Sequence, residues 1–386
     1  MKECAAKYIT HISYSVNSGK MVSVTIPEST ATANVTIIDN GARINGPLSF
    51  FMEPVPESIT FDGLGAPAYV FFVENPRSGR RVVFDLGIRK DPENLAPFIL
   101  AYHKVFTIQG GEDISEFLQK RGVELDSVEA VIWSHHHLDH TGNPAGFPST
   151  TELVVGPTFK ETMLPGYPAN QQGQILETDY QGRPIRQLDF EIESQGLVIE
   201  GFRAIDYFGD GSFYLLEVPG HTSDHIVGLA RTSVSPSRFI LMGADASHHA
   251  SQLRPTEHLP LPAELTPSPL GPESKFNLRT NVCPGHIFTD HVHPEQSPNT
   301  PYTRIKAGHP HDVDQARAAL EKMKLFDADE NVLVVLAHDY TLLPVMEFWP
   351  RTANNWHEGD WKEKGRWLFL DFFKQVLENA LGAVAQ

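Results

Sequence analysis

The chain has few cysteines, no long apolar run and no excess of positive charge. Each lack narrows what it does. Two cysteines among 386 residues, Cys4 and Cys283, cannot build a disulfide framework, so a cytoplasmic, reducing compartment is expected. No stretch approaches the roughly 20 consecutive apolar residues of a membrane span. The opening MKECAAKYITHISYSVNSGK lacks the apolar core of a secretory signal, so none is expected. Lys and Arg number 31 against 48 Asp and Glu, a formal charge of −17. Such a surface repels phosphate backbones and anionic headgroups, so neither nucleic acid nor a membrane is an expected partner. The basic clusters at 77–81 and 362–366 are short and interrupted.

Apolar types make up 41% and charged types 20% of the chain, ordinary globular material. Its length exceeds the roughly 100–200 residues of a single-domain prior, which allows one large α/β domain with insertions. Extended segments at 21–29 (MVSVTIPES) and 33–40 (ANVTIIDN) predict an N-terminal arm over 1–60, laid on a main domain at 61–386. Runs at 69–75 and 81–87 flank the turn PRSG and read as a hairpin. DISEFLQKRG (113–122) has helical spacing with Gly122 as a stop. Strands are expected at 128–134, 152–156, 187–193, 213–220, 226–232, 238–245 and 331–339. Late helices are expected at 312–326, capped by Asp312, and at 366–381, ending near Gly382. Between 251 and 310 fall eleven of the 29 prolines and five histidines. Proline at that density suppresses regular structure, so this reads as an insertion forming a lid or substrate wall.

What the chain has in plenty is histidine, 18 residues, several of them beside aspartate. SHHHLDHTG (134–142) follows the strand VEAVIWS and holds His135, His137, Asp139 and His140 in the pattern H-x-H-x-D-H. Imidazole and carboxylate suit zinc and other borderline divalent ions. In a loop leaving a strand, alternate residues point the same way, so His135 and His137 can share one metal. The chain then turns toward a helix, where Asp139 and His140 can face a second. The bland alternative is a histidine run on a solvated loop. Three more candidates close three more strands: His221 in PGHTSDH, Asp245 in RFILMGAD and His338 in NVLVVLAHD. One such residue is more often a turn residue or a cap. Four strands that each end in a candidate ligand imply a shared site at the sheet edges.

The order HHHLDH, PGHT, GAD and LAHD resembles the metallo-β-lactamase-fold superfamily, in its H-x-H-x-D-H branch, over about 69–340. The resemblance implies an α/β fold, a four-layer αββα sandwich, with two divalent metal ions between the sheet edges. It implies that His135, His137 and His221 hold the first ion, that Asp139, His140 and His338 hold the second, and that Asp245 bridges them. Zinc is the expected ion, with manganese and iron(II) as alternatives. Two such cations about 3.5–4 Å apart generate a bridging hydroxide near neutral pH. Asp139 is either a pure ligand or also a catalytic proton carrier. Asp85 in FDLG matches an Asp-x-Gly of such folds and either orients a ligand loop or caps its turn. His136 is expected to point away from its neighbours in a structural role, and His225 to support the ligand loop. In lactonase members a tyrosine three residues after the bridging Asp helps polarise the substrate carbonyl. Here His248 stands there, either as a catalytic hydrogen-bond donor or as a solvent-facing loop residue.

The resemblance leaves several activities in play. A Cys ligand is absent and Asp245 is present, which disfavours antibiotic hydrolysis. The charge of −17 disfavours nuclease activity. No flavin or rubredoxin pattern accompanies the site. The apolar segment LSFFMEP (48–54) and the insertion can wall a pocket for a small molecule. The expected function is therefore a metal-dependent hydrolase that opens a lactone or γ-lactam. Benzoxazolinone-type detoxification is the narrower family analogy. The alternatives are a thioesterase of glyoxalase II type, a mono-iron thiol or persulfide dioxygenase, and a non-catalytic metal protein. A homodimer is left open.

Overall fold

Runs of β-branched and aromatic residues, separated by Gly, Pro and Asp turns, form two six-stranded sheets in the computed structural model, which describes residues 22–56 and 65–383. The first sheet holds β1 (Asn34–Ile38), β2 (Val70–Glu74), β3 (Arg81–Phe84), β4 (Ala130–Ile132), β5 (Glu152–Val155) and β6 (Ile185–Gln187), in that order. β1 to β3 are antiparallel, and β3 to β6 run parallel. The second sheet holds β7 (Val198–Ile199), β8 (Phe202–Asp206), β9 (Phe213–Glu217), β10 (Ile226–Val234), β11 (Ser237–Ala244) and β12 (Val332–Leu336). It is antiparallel except for the β11–β12 pair.

Alternation decides the layers. In β2, Phe71 and Val73 enter the core between the sheets, while Val70 and Phe72 bury on the outer face. In β12, Leu333 and Val335 face that same core, and Val332, Val334 and Leu336 face outward. Strands buried on both sides read as continuous apolar runs, which is why these were easy to recognise. Helix α1 (Ile114–Lys120) covers the first sheet through Ile114, Phe117 and Leu118. Two short helices, α2 (Leu138–Thr141) and α3 (Phe190–Glu193), follow β4 and β6. Helix α4 (Val313–Ala328) covers the second sheet through Ala316, Ala319, Leu320 and Met323, an i, i+3, i+4, i+7 stripe. The Asp312 side chain accepts from the N–H groups of Asp314 and Gln315 and so starts this helix. The result is the expected four-layer αββα sandwich.

Some expectations need correction. The proposed arm is not seen as a separate unit: 1–21, with Cys4, and 57–64 lie outside the described residues, and Asn34–Ile38 is the edge strand of the first sheet. Val35 and Ile37 bury between the sheets, which draws this segment into the core. Residues 187–193 end a strand and begin α3, because the Asp189 side chain accepts from Ile192 N–H. Residues 366–381 form a 3-10 turn, Leu368–Phe373, before helix α5 (Lys374–Ala383). The proline-rich stretch is packed rather than loose. Its Leu259, Leu265, Phe288 and Tyr302 join Phe369, Leu370, Phe373 and Leu377 in one cluster, with Cys283 buried among them. Among the described residues no helix is long and apolar enough to cross a membrane.

Candidate metal centre

The ends of β4, β9, β11 and β12 meet at one edge of the sandwich. His135 and His137 leave β4, Asp139 and His140 ride on α2, His221 follows β9, Asp245 follows β11 directly and His338 follows β12. All seven converge, and all are buried except His137, which is partly exposed. His221 Nε2 lies 3.2 Å from His135 Nε2 and 3.0 Å from His137 Nδ1. Three ring nitrogens this close, with the Asp245 carboxylate beside them, make a donor set that a divalent cation can occupy. Asp139, His140 and His338 form a second group. Asp245 stands between the two groups. Its Oδ2 is 3.4 Å from His221 Nε2 and 3.8 Å from His135 Nε2. Its Oδ1 is 3.2 Å from His140 Nε2 and 3.1 Å from His338 Nε2.

The rings are aimed from behind. His140 Nδ1 is 2.8 Å from Asp85 Oδ2, while Asp85 Oδ1 accepts from Ser134 N–H at 2.7 Å. Asp85 reaches both from a left-handed backbone, φ 60°. His338 Nδ1 donates to the Pro67 carbonyl at 2.7 Å, and His135 Nδ1 is 3.0 Å from Ser134 Oγ. His225 donates from Nδ1 to the Val218 carbonyl at 2.9 Å, so its Nε2 accepts the Asp245 N–H at 3.2 Å. Such partners fix tautomer and orientation at metal sites.

The electrostatics divide as the geometry does. Burial, then the rings of His140 and His137, holds His135 neutral, well below the usual imidazole range. Burial does the same for His137 and His221. Burial also opposes charge on His140 and His338, but Asp245 outweighs it. His140 lies well above its ordinary value, and His338 is pushed up to about 9. Close as they lie, His140 Nε2, Asp245 Oδ1 and His248 Nε2 are among the buried atoms that make no well-aligned hydrogen bond. A donor set of imidazole and carboxylate with orphaned, inward-facing atoms fits divalent cations.

Above this floor opens a cavity of about 470 Å³. Ile44, Leu48, Phe51, Phe98, Ile99 and Phe106 make one side apolar. His248 is buried, not solvent-facing: its Nε2 lies 3.3 Å from Asp245 Oδ2 and its ring stacks on Phe51 at 4.4 Å. Residues 52–53 pair with 304–305 in a short antiparallel ribbon, and Lys306 Nζ donates to the Ser49 carbonyl at 2.6 Å. That ribbon carries Phe51 and brings His309 to 4.5 Å from it. Of the proline-rich stretch, His309 is the residue that lines the cavity. Sequence reasoning named the segment 48–54 but not the individual wall residues. It missed Asp224, whose Oδ1 is 2.8 Å from His136 Nδ1. The three-residue step from His221 to Asp224 was the available signal.

Residues 64–338 match the family model described as the Metallo-beta-lactamase superfamily. The chain is 39% identical over 373 residues to gamma-lactamase FDB1 of Fusarium pseudograminearum (strain CS3096), covering 94% of this chain and 88% of that one. It is 38% identical over 361 residues to metallo-hydrolase mfmC of Annulohypoxylon moriforme, covering 92% and 91%. Its fold is similar to that of a B. thuringiensis AiiA variant with N-decanoyl-L-homoserine bound at the active site. That match has a TM-score of 0.54 at 15% identity, over 83% of this chain and 99% of the other.

Proposed function

The chain belongs to the metallo-beta-lactamase superfamily and is a metal-dependent hydrolase, and we propose that it opens a small cyclic amide or ester, a γ-lactam or a lactone. The observation that carries this reading is the convergence of seven donor side chains on the floor of a largely apolar cavity of about 470 Å³. That volume suits one small ring system with its substituents. The name gamma-lactamase borne by a relative supports the amide.

In this reading His135, His137 and His221 would hold one ion, Asp139, His140 and His338 would hold the other, and Asp245, which stands between the two groups, would serve both. Zinc is the proposed ion. Bound there, a pair of divalent cations supplies an acidified water and Lewis acidity toward the scissile carbonyl. The side chains do the rest. Asp139 lines the cavity, with Oδ2 3.4 Å from His338 Nε2. It is placed to take a proton at that oxygen and return it to the leaving nitrogen or oxygen. His248 lines the same floor and is positioned to donate to the carbonyl oxygen as negative charge develops there. The apolar wall excludes water and holds the ring.

The test is turnover of γ-lactams, benzoxazolinones and acyl-homoserine lactones beside S-acyl glutathione, with metal analysis of the same samples. Ring opening by protein carrying two ions per chain is expected. Thioester hydrolysis without ring opening would replace this reading with a thioesterase, and one iron per chain with thiol oxidation would replace it with a dioxygenase. His248→Ala should keep its metal and lose about tenfold to a thousandfold in kcat. Unchanged kcat would remove His248 from the reaction.

A further inference from the structure

Beside the metal centre lies a buried pair that the proposed chemistry leaves without a task. His136 sits between two of the donor histidines, with its ring centroid 5.0 Å from that of His137, yet it belongs to neither donor group. Its Nδ1 is 2.8 Å from Asp224 Oδ1, and both residues are buried. The loop that carries Asp224 is pressed against the end of β5, where a Cβ on Gly156 would meet the Asp224 carbonyl oxygen at 1.8 Å. The pair is therefore held from both sides.

A carboxylate has no hydrogen to give, so the ring donates from Nδ1, and Nε2 is the nitrogen left to meet a ligand. No hydrogen bond reaches that Nε2 from the described residues, and the ring lines the cavity beside Thr222, Ser223 and Gln174. These side chains are polar members of a lining that is otherwise largely apolar. An acceptor that faces a substrate cavity discriminates strongly. It gains from a ligand N–H, and it is left unpaired, against a second lone pair, by a ligand that offers only oxygen.

We propose that His136, held in its tautomer by Asp224, is a specificity-determining residue that accepts a hydrogen bond from the ring N–H of the substrate. The site then favours cyclic amides over the matching cyclic esters. His136 contacts the substrate, and Asp224 is a positioning residue that acts through it. This inference rests on the proposed opening of small rings, and its test is chosen to stand apart from turnover.

The probe is 2-benzimidazolinone, a planar cyclic urea that resists hydrolysis and carries ring N–H groups, compared with its 1,3-dimethyl derivative. Binding to the metal-loaded protein is measured by calorimetry. The N–H probe should bind about tenfold to a hundredfold tighter than the dimethyl probe. His136→Phe should bring that ratio close to one. His136→Gln, whose amide oxygen also accepts, should restore part of it. Asp224→Asn can present N–H to Nδ1 and reverse the tautomer, so it should lower the ratio as His136→Phe does. Each variant is checked for two metals per chain and for an unchanged melting profile. Equal affinity for the two probes in the parent protein overturns the inference, as does an unchanged ratio in metal-replete His136→Phe. A protein that prefers the N–H probe yet hydrolyses only thioesters would sink the ring-opening reading and leave the acceptor role of His136 standing.

Discussion

Asp85 does two jobs with one carboxylate: it holds the Ser134 N–H that starts the ligand loop and the Nδ1 that aims His140. Asp85→Ala leaves both without their acceptor, so metal affinity should fall about tenfold to a hundredfold, read by competition with a chromogenic chelator. His249 shows a different effect of burial. It accepts Ser251 N–H at Nδ1, and burial, with Arg254 adding to it, depresses its pKa to about 3. The unfolded chain takes up this proton below about pH 6.5, and the folded chain refuses it until about pH 3. Stability should therefore decline as pH drops through that window, by about 1.4 kcal/mol per unit from this group. Urea unfolding at pH 7, 6 and 5 should show a shallower decline for His249→Gln than for the parent. The convergence of the seven candidate donors was legible in the sequence because each follows an apolar run, and a strand end fixes where a side chain can go. The residues behind them were not. Pro67 acts through a carbonyl that every residue owns, and Asp224 is recognisable only once His136 is seen to face it.

Elements were legible where one periodicity ruled. Helix α4 declared itself through its stripe and its aspartate cap. Residues 187–193 did not, because Leu188, Phe190 and Ile192 alternate as in a strand. The Asp189 cap overrides that pattern and leaves Ile192 72% exposed. The far end of α4 rests on a lysine the sequence did not single out. Buried Lys362 donates to the carbonyls of Asp327 at 2.7 Å, Asp329 at 2.9 Å and Val332 at 2.6 Å. It thereby joins the helix C-terminus to β12 and answers the negative end of the helix dipole. Lys362→Met keeps the aliphatic bulk and abandons three acceptors, so it should cost about 3 kcal/mol. The midpoint of urea unfolding measures this, and a loss under about 1 kcal/mol would mean that water replaces the ammonium.

Seen whole, the molecule gathers its candidate donors from both sheets, and His135 is 203 positions away from His338, the last of them. The parallel β11–β12 pair sets Asp245 and His338 side by side, and the core between the sheets sets them against the β4 loop. An unfolded chain offers no such site, so cation binding is linked to folding. At a thousandfold excess over its dissociation constant each ion contributes about 4 kcal/mol. Removing metal with EDTA should lower the melting temperature, and adding back zinc should restore it. A melting temperature indifferent to both would mean that the fold gains nothing from its ions.

The ribbon between 52–53 and 304–305 has a consequence for how substrate preference changes. The rim of the chamber is a seam sewn from two distant margins of the chain, each stitched to the other by paired backbone and by Lys306 on Ser49. Grafting one edge from a relative would leave the stitches without their mates. Trading both edges together would carry the preference across as a single trait.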